Sequence, residues 1–244
     1  MRSSETTKVE PAEGGKRHQQ GRLPKDWRAK LFETVKGRKQ TKPSNLPEAI
    51  AVLWCTGCRP AELETGVVYM RHKDTLVIQI LGAKHGVIDN GTVKAERGIE
   101  SRVIVIDPNL HPGAKYLYDL VGPDDKKPRK LSYNKNSIRS RINEAGREVL
   151  ANLKDAPSLS PYSFRHAIAS DLRSCDTIND VQRAQVMGHL SVESLESYGR
   201  RRRGGGGVSP FLKVQTSAEP HGKLSHAPPL GTVFKTRPKI KNKL

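Results

Sequence analysis

Four short segments of the 244-residue chain carry side chains able to act on an anion. Arg59 lies in Thr56-Gly57-Cys58-Arg59-Pro60-Ala61-Glu62-Leu63, with Glu62 three residues on. Arg165 and His166 lie in Pro161-Tyr162-Ser163-Phe164-Arg165-His166-Ala167. His189 sits in Met187-Gly188-His189-Leu190, and Tyr198 follows nine residues later. A guanidinium is permanently charged and contacts two oxygens at once, so a pair of them suits an anion with several oxygens. A Tyr hydroxyl, with a pKa of ~10, attacks only where its proton has an acceptor or the surroundings are strongly positive. Each segment alone also has an ordinary reading. Arg59 and Glu62 could be an exposed pair on one helix, and Arg165-His166 plain surface charge at a helix start. His189 could be a cap in a helix linker, and Tyr198 a packing aromatic at a helix end.

The elements that must position these groups can be read from periodicity. Pro24-Lys25-Asp26 starts a short helix carrying Trp27, Leu31 and Val35, and Gly37 stops it. Ser44-Asn45 precedes a helix over residues 46–56, with Ile50, Leu53 and Trp54 as its core face and Gly57 as its end. Pro60 fits the first turn of another short helix through Leu63. β-like runs follow at residues 67–70, 75–81 and 102–106, and residues 82–101 read as a long hairpin tip. Beyond Pro108 the pattern predicts helices over 113–120, 137–153, 163–173, 178–187 and 192–198. The expectation is an α+β, mostly α-helical domain over residues 24–200 with a small three-stranded antiparallel sheet. Residues 1–23 are expected to be a flexible segment, and residues 201–244 a flexible basic tail.

Composition points to a polyanionic partner. Lys and Arg number 43 against 25 Asp and Glu, for a net charge of +18. The segment 201–244 alone holds ten of those cations, among them Arg201, Arg202 and Arg203, against one acid, Glu219. Such a balance marks a binder of nucleic acid or a similar polymer, and says little about fold. Hydrophobic residues make up 35%, below the usual globular share, so part of the chain is expected to stay outside any core. Three cysteines build no disulfide framework, which suits a reducing cytoplasm. Cys55 and Cys58 have the spacing of half a zinc site, but no second pair follows, so they read as core residues and no metal is expected. The N-terminus shows no apolar stretch of a signal peptide, and the runs at 50–53 and 103–106 are far too short to span a bilayer. A soluble cytoplasmic protein with no membrane partner is expected.

Taken together, the order, local context and spacing of these residues resemble the C-terminal catalytic domain of the tyrosine recombinases of the phage-integrase family. Residues 53–63 resemble the first family box, with Arg59 as its Arg. Residues 160–172 resemble the second, with Arg165. Gly188-His189 followed by Tyr198 resembles the Gly-His and nucleophile segments. The resemblance implies the DNA breaking-rejoining enzyme fold and DNA cleavage through a 3′-phosphotyrosine at Tyr198, with no cofactor. In that scheme Arg59 and Arg165 stabilise the phosphate and His189 bonds one of its oxygens, with Glu62 and His166 in support. The family draws the proton for the leaving 5′ oxygen from a Lys in the sheet hairpin. Lys84 matches that place, and Lys94 is the reserve candidate. One departure stands out: the second box usually has a His three residues before its Arg, and here Tyr162 occupies that place. Tyr162 can donate a hydrogen bond to phosphate but cannot cycle a proton near neutral pH.

The resemblance also implies partners: double-stranded DNA, a homo-multimer assembled on it, and accessory DNA-bending factors. Integration or excision of a mobile element is the implied setting. Lys135, Arg139 and Arg141, at and after a helix start, suit the phosphate backbone, as do Arg201, Arg202 and Arg203. Most family members carry an N-terminal helical domain that clamps the far side of the duplex. Here 23 polar residues precede the catalytic region, read as truncation or as a naturally short enzyme. Three alternatives compete: a catalytically silenced DNA-binding protein on the same fold, a type IB topoisomerase-like strand transferase, and a generic polyanion binder.

Overall fold

The computed structural model describes residues 23–39, 44–83, 88–89, 92–93, 98–123, 127–175, 177–198 and 209–222. Helix α1 (Trp27–Gly37) buries Trp27, Leu31, Phe32 and Val35, one stripe at helical spacing. Helix α2 (Leu46–Thr56) buries every residue but Pro47, which makes it the central rod of the core. Gly57 ends it at φ 57°, a left-handed conformation that favours glycine. A Cβ at Gly57 would also press on the Arg165 Cα, 3.3 Å away. Helix α3 (Pro60–Thr65) follows at once, with Pro60 in its first turn.

Strands β1 (Val67–His72), β2 (Thr75–Leu81) and β5 (Ser101–Ile106) form the expected antiparallel trio. Between β2 and β5, β3 (Ile88–Asp89) and β4 (Thr92–Val93) pair as a separate ribbon, in keeping with a long hairpin tip. Helix α4 (Pro112–Val121) packs on α2, and the short strand β6 (Arg129–Leu131) then adds to the free edge of β1. Helices α5 (Lys135–Val149), α6 (Pro161–Ser174) and α7 (Asp180–Met187) complete the helical layer. Trp27 of α1 lies 4.8 Å, ring to ring, from Phe164 of α6. The α+β, mostly helical architecture is as expected, with seven α-helices among the described residues.

Three features differ from the sequence reading. Residues 192–198 form a 3-10 turn rather than an α-helix. The sheet has five strands in the order β6-β1-β2-β5-β7. Its last strand, β7 (Phe211–Thr216), lies in the segment expected to be a flexible arm, and pairs antiparallel with β5. Only Phe211 and Val214 of β7 are fully buried, so no period-two pattern announces it. What recruits it is the open edge of β5, whose backbone groups need partners. The chain then returns across the domain, with the His221 N–H donating to the Leu190 carbonyl at 2.8 Å and the Val192 N–H to the His221 carbonyl at 3.0 Å.

Cys55, Cys58 and Cys175 are buried free thiols. Burial pushes the Cys58 thiol up to about 12, the behaviour of an inert core residue. Among the described residues no helix is long and apolar enough to cross a membrane, and no cluster of three metal-ligating side chains occurs.

Candidate functional site

Arg59 stands at the start of α3 because Pro60 opens that helix behind it. Glu62, one turn on, accepts from the Arg59 backbone N–H at 2.8 Å and from its Nη1 at 2.6 Å. The carboxylate is fully buried, and its other ion-pair partner is Arg102 of β5, whose Nη2 donates to Oε2 at 2.8 Å. Burial would raise the Glu62 carboxyl, but Arg102, then Arg59 and Arg165, overcome it and hold the group at about 2. Glu62 is therefore an anion at neutral pH, and it fixes one guanidinium on each side. Arg102 escaped the sequence reading. Its signal was there: Arg102 shares the inward parity of Ile104 and Ile106 in an alternating strand, where a charge is out of place.

The second centre joins α6 and α7. Pro161 opens α6 behind a Ser160–Ser163 capping pair, and this sets Arg165 on the face toward Gly57. The Arg165 Nη1 donates to the Gly57 carbonyl at 2.9 Å, and Nη2 donates to the Met187 carbonyl at 2.7 Å. Nη2 also lies 2.8 Å from the His189 Nε2. A guanidinium only donates, so Nε2 accepts and the neutral ring carries its proton on Nδ1. Burial first, then Arg165, Arg59 and Arg102, lower His189 to about 2 against the opposing pull of Glu62. His189 is thus a neutral hydrogen-bonding group rather than a proton store. Its place comes from α7, which ends at Gly188 with φ 65°, and the turn points the ring at α6. The Gly188 carbonyl faces both Arg59 Nη atoms at 3.5 Å, so the two centres meet there.

Arg59, Arg165, His189 and Glu62, scattered over 130 residues of sequence, therefore form one buried cluster. Arg59 keeps the largest exposure of the four, 7%. Tyr162 stands apart at 49% exposed. It lines a groove of about 660 Å³ with Pro60, Lys135, Arg139, Asn143 and His166. Lys135, Arg139 and Arg141 are exposed on α5 beside it, with Lys135 paired to Glu64 and Arg141 to Glu144. The backbone of Tyr198 closes the 3-10 turn (Val192–Tyr198) that follows His189. Lys84, Lys94, Arg201, Arg202 and Arg203 lie outside the described residues.

No protein-family model and no curated protein matches the chain. Among solved structures it is similar to XerA recombinase, at 16% identity and a TM-score of 0.47, over 74% of this chain and 60% of that one. It is also similar to XerH site-specific recombinase bound to difH substrate before cleavage, at 14% identity and a TM-score of 0.48, over 74% of this chain. A third is the Tn1549 transposon integrase in complex with transposon right-end DNA, at 14% identity and a TM-score of 0.48, again over 74% of this chain. The chain spans 51% of the XerH chain and 62% of the integrase chain.

Proposed function

We propose that the chain is a site-specific recombinase that cleaves and rejoins DNA through a covalent link to Tyr198. The observation that carries this reading is the bond between Arg165 and His189, in one cluster with Arg59, on the turn that leads into the Tyr198 segment. Two guanidiniums supply donors for the non-bridging oxygens of a phosphodiester, where charge grows during transfer, and the neutral imidazole beside them offers Nε2 as an acceptor. A phosphate oxygen entering the cluster competes with His189 Nε2 for Arg165 and frees Nε2 to accept from the incoming hydroxyl. Lys84 is the proposed donor to the 5′ oxygen, and the exposed cations of α5 position the duplex. Strand transfer between two duplexes calls for paired protomers, so a homo-multimer on DNA belongs to the proposal, as does integration or excision of a mobile element. The groove places Tyr162 and His166 next to α5, which suits backbone contact better than proton transfer.

The test is covalent trapping. The protein is incubated with DNA carrying a nicked suicide site and resolved on a denaturing gel beside Tyr198→Phe. A DNA-linked band lost in Tyr198→Phe supports the reading and establishes the nucleophile. Tight, salt-sensitive binding to a cognate site without any band would make the protein a silenced DNA binder. Relaxation of supercoils at any sequence, without synapsis, would favour a topoisomerase-like activity.

A further inference from the structure

We propose that Arg102 is a positioning residue that holds the Arg59 side chain and the Gly188–His189 turn in register. The proposal rests on the reading of this cluster as the DNA phosphate site. Arg102 is 1% exposed and is followed on the inward face of β5 by Ile104 and Ile106, both fully buried. A guanidinium in such a place costs several kcal/mol of desolvation unless its surroundings compensate, and an apolar side chain would fill the position at least as well. Its pairing is also incomplete. Nη2 bonds Glu62, while Nε and Nη1 are buried with no hydrogen-bond partner among the described residues.

What those two nitrogens face explains the residue. A Cβ built on Gly188 would lie 2.5 Å from Arg102 Nη1 and 3.0 Å from its Cζ, so the flat guanidinium lies directly against the turn. Gly188 is needed there twice, for its left-handed φ of 65° and for this close approach. The Gly188 carbonyl in turn faces Arg59, and Arg59 is held by the same Glu62 carboxylate that holds Arg102. Arg102, Glu62, Arg59 and Gly188 therefore close a ring of contacts from β5 through α3 to the end of α7. Moving Arg102 shifts the carboxylate that aims Arg59 and the turn that aims His189 together. It also adds the third cation, after Arg165 and Arg59, that opposes protonation of His189, with Glu62 the one anion facing it.

The test uses the full chain with Arg102→Met and Arg102→Lys, each compared with wild type by melting, DNA binding, adduct formation at saturating DNA and histidine NMR. Lys restores the ion pair to Glu62 but not the planar group under the turn. Both variants should bind DNA nearly as wild type does and form adduct about 10–100-fold more slowly, the cost of misplacing groups by an ångström or so. In Arg102→Met the His189 ring, assigned with His189→Gln, should begin to titrate at a higher pH than in wild type. Gly188→Ala should also lose less stability in the Arg102→Met background than in wild type, because the close approach is gone. Lower melting with an unchanged adduct rate, an unshifted His189 and additive Gly188→Ala effects would overturn the proposal. Should wild type form no adduct on its site, the cleavage reading falls, while the His189 titration and the Gly188 coupling still decide the role of Arg102.

Discussion

Arg165 is a structural tie in its own right, beside the chemical role that the proposed function gives it. Its nitrogens hold two carbonyls and one imidazole, all from other elements. Arg165→Met leaves those acceptors without their donor, and urea denaturation should show a loss of about 2–4 kcal/mol along with any strand cleavage. Glu62→Gln is expected to be worse than its conservative look. It leaves Arg59 and Arg102 as buried like charges, and a loss of about 3–5 kcal/mol follows from breaking a buried pair from one side. Acid sensitivity belongs to this scale too. Burial lowers His189 to about 2 and His111 to about 4, both from 6.5, so below pH 6.5 the unfolded chain binds protons that the fold refuses. Stability is therefore fully present above that pH and falls beneath it. A second loss starts near 4.5, where unfolded Glu62 protonates while the folded carboxyl waits until about 2. Melting temperatures measured between pH 8 and pH 4 should drop along that course, and His189→Gln should make the first fall shallower.

Strand β7 changes what the C-terminal segment is for. As a flexible arm it would add electrostatic grip alone, and its removal would only flatten the salt dependence of DNA binding. As a strand it covers the edge of β5, the strand that carries Arg102, and buries Phe211 and Val214. Its return through His221 also stitches the backbone between His189 and Tyr198. Val214→Ala, at a fully buried position, should cost about 1–3 kcal/mol in a thermal or urea melt. Removing residues 209–244 should lower the melting temperature and, on the proposed function, slow adduct formation at saturating DNA. An effect confined to the salt slope would return this segment to the role of a charged arm.

At the scale of the whole molecule, exposed cations of α5 stand apart from the buried polar centre. Helix α5 turns Ile138, Ile142 and Ala145 inward and leaves Lys135, Arg139 and Arg141 in solvent beside the groove lined by Tyr162. Exposed cations of this kind contribute through counterion release rather than through fold stability. If about six phosphates are neutralised, log binding should fall against log salt with a slope of about −5. Arg139→Ala and Arg141→Ala should each reduce that slope by about one without altering the melt. Arg59→Ala should lower the slope by a similar amount and, unlike these two, also destabilise the fold, because its partners lie inside.

The placement of Arg59, Arg165 and His189 was legible in the sequence because their local frames are local events. Pro60 and Pro161 open helices, and Gly57 and Gly188 end them, so Arg59, Arg165 and His189 each sit at a helix terminus that nearest neighbours define. The helical layer and the three central strands were legible for the same reason, since periodicity records which face is buried. The tertiary structure alone decided the rest. It turned Glu62 from the partner of one arginine into the shared anion of two, joining residues forty positions apart. It separated Tyr162 from the cluster although only two residues lie between Tyr162 and Arg165. It also made a strand of residues 211–216, whose weak pattern gains meaning only against the open edge of β5. For Glu62 and for the strand, the deciding force, desolvation of a charge or pairing of a free backbone edge, acts between segments that the sequence does not place together.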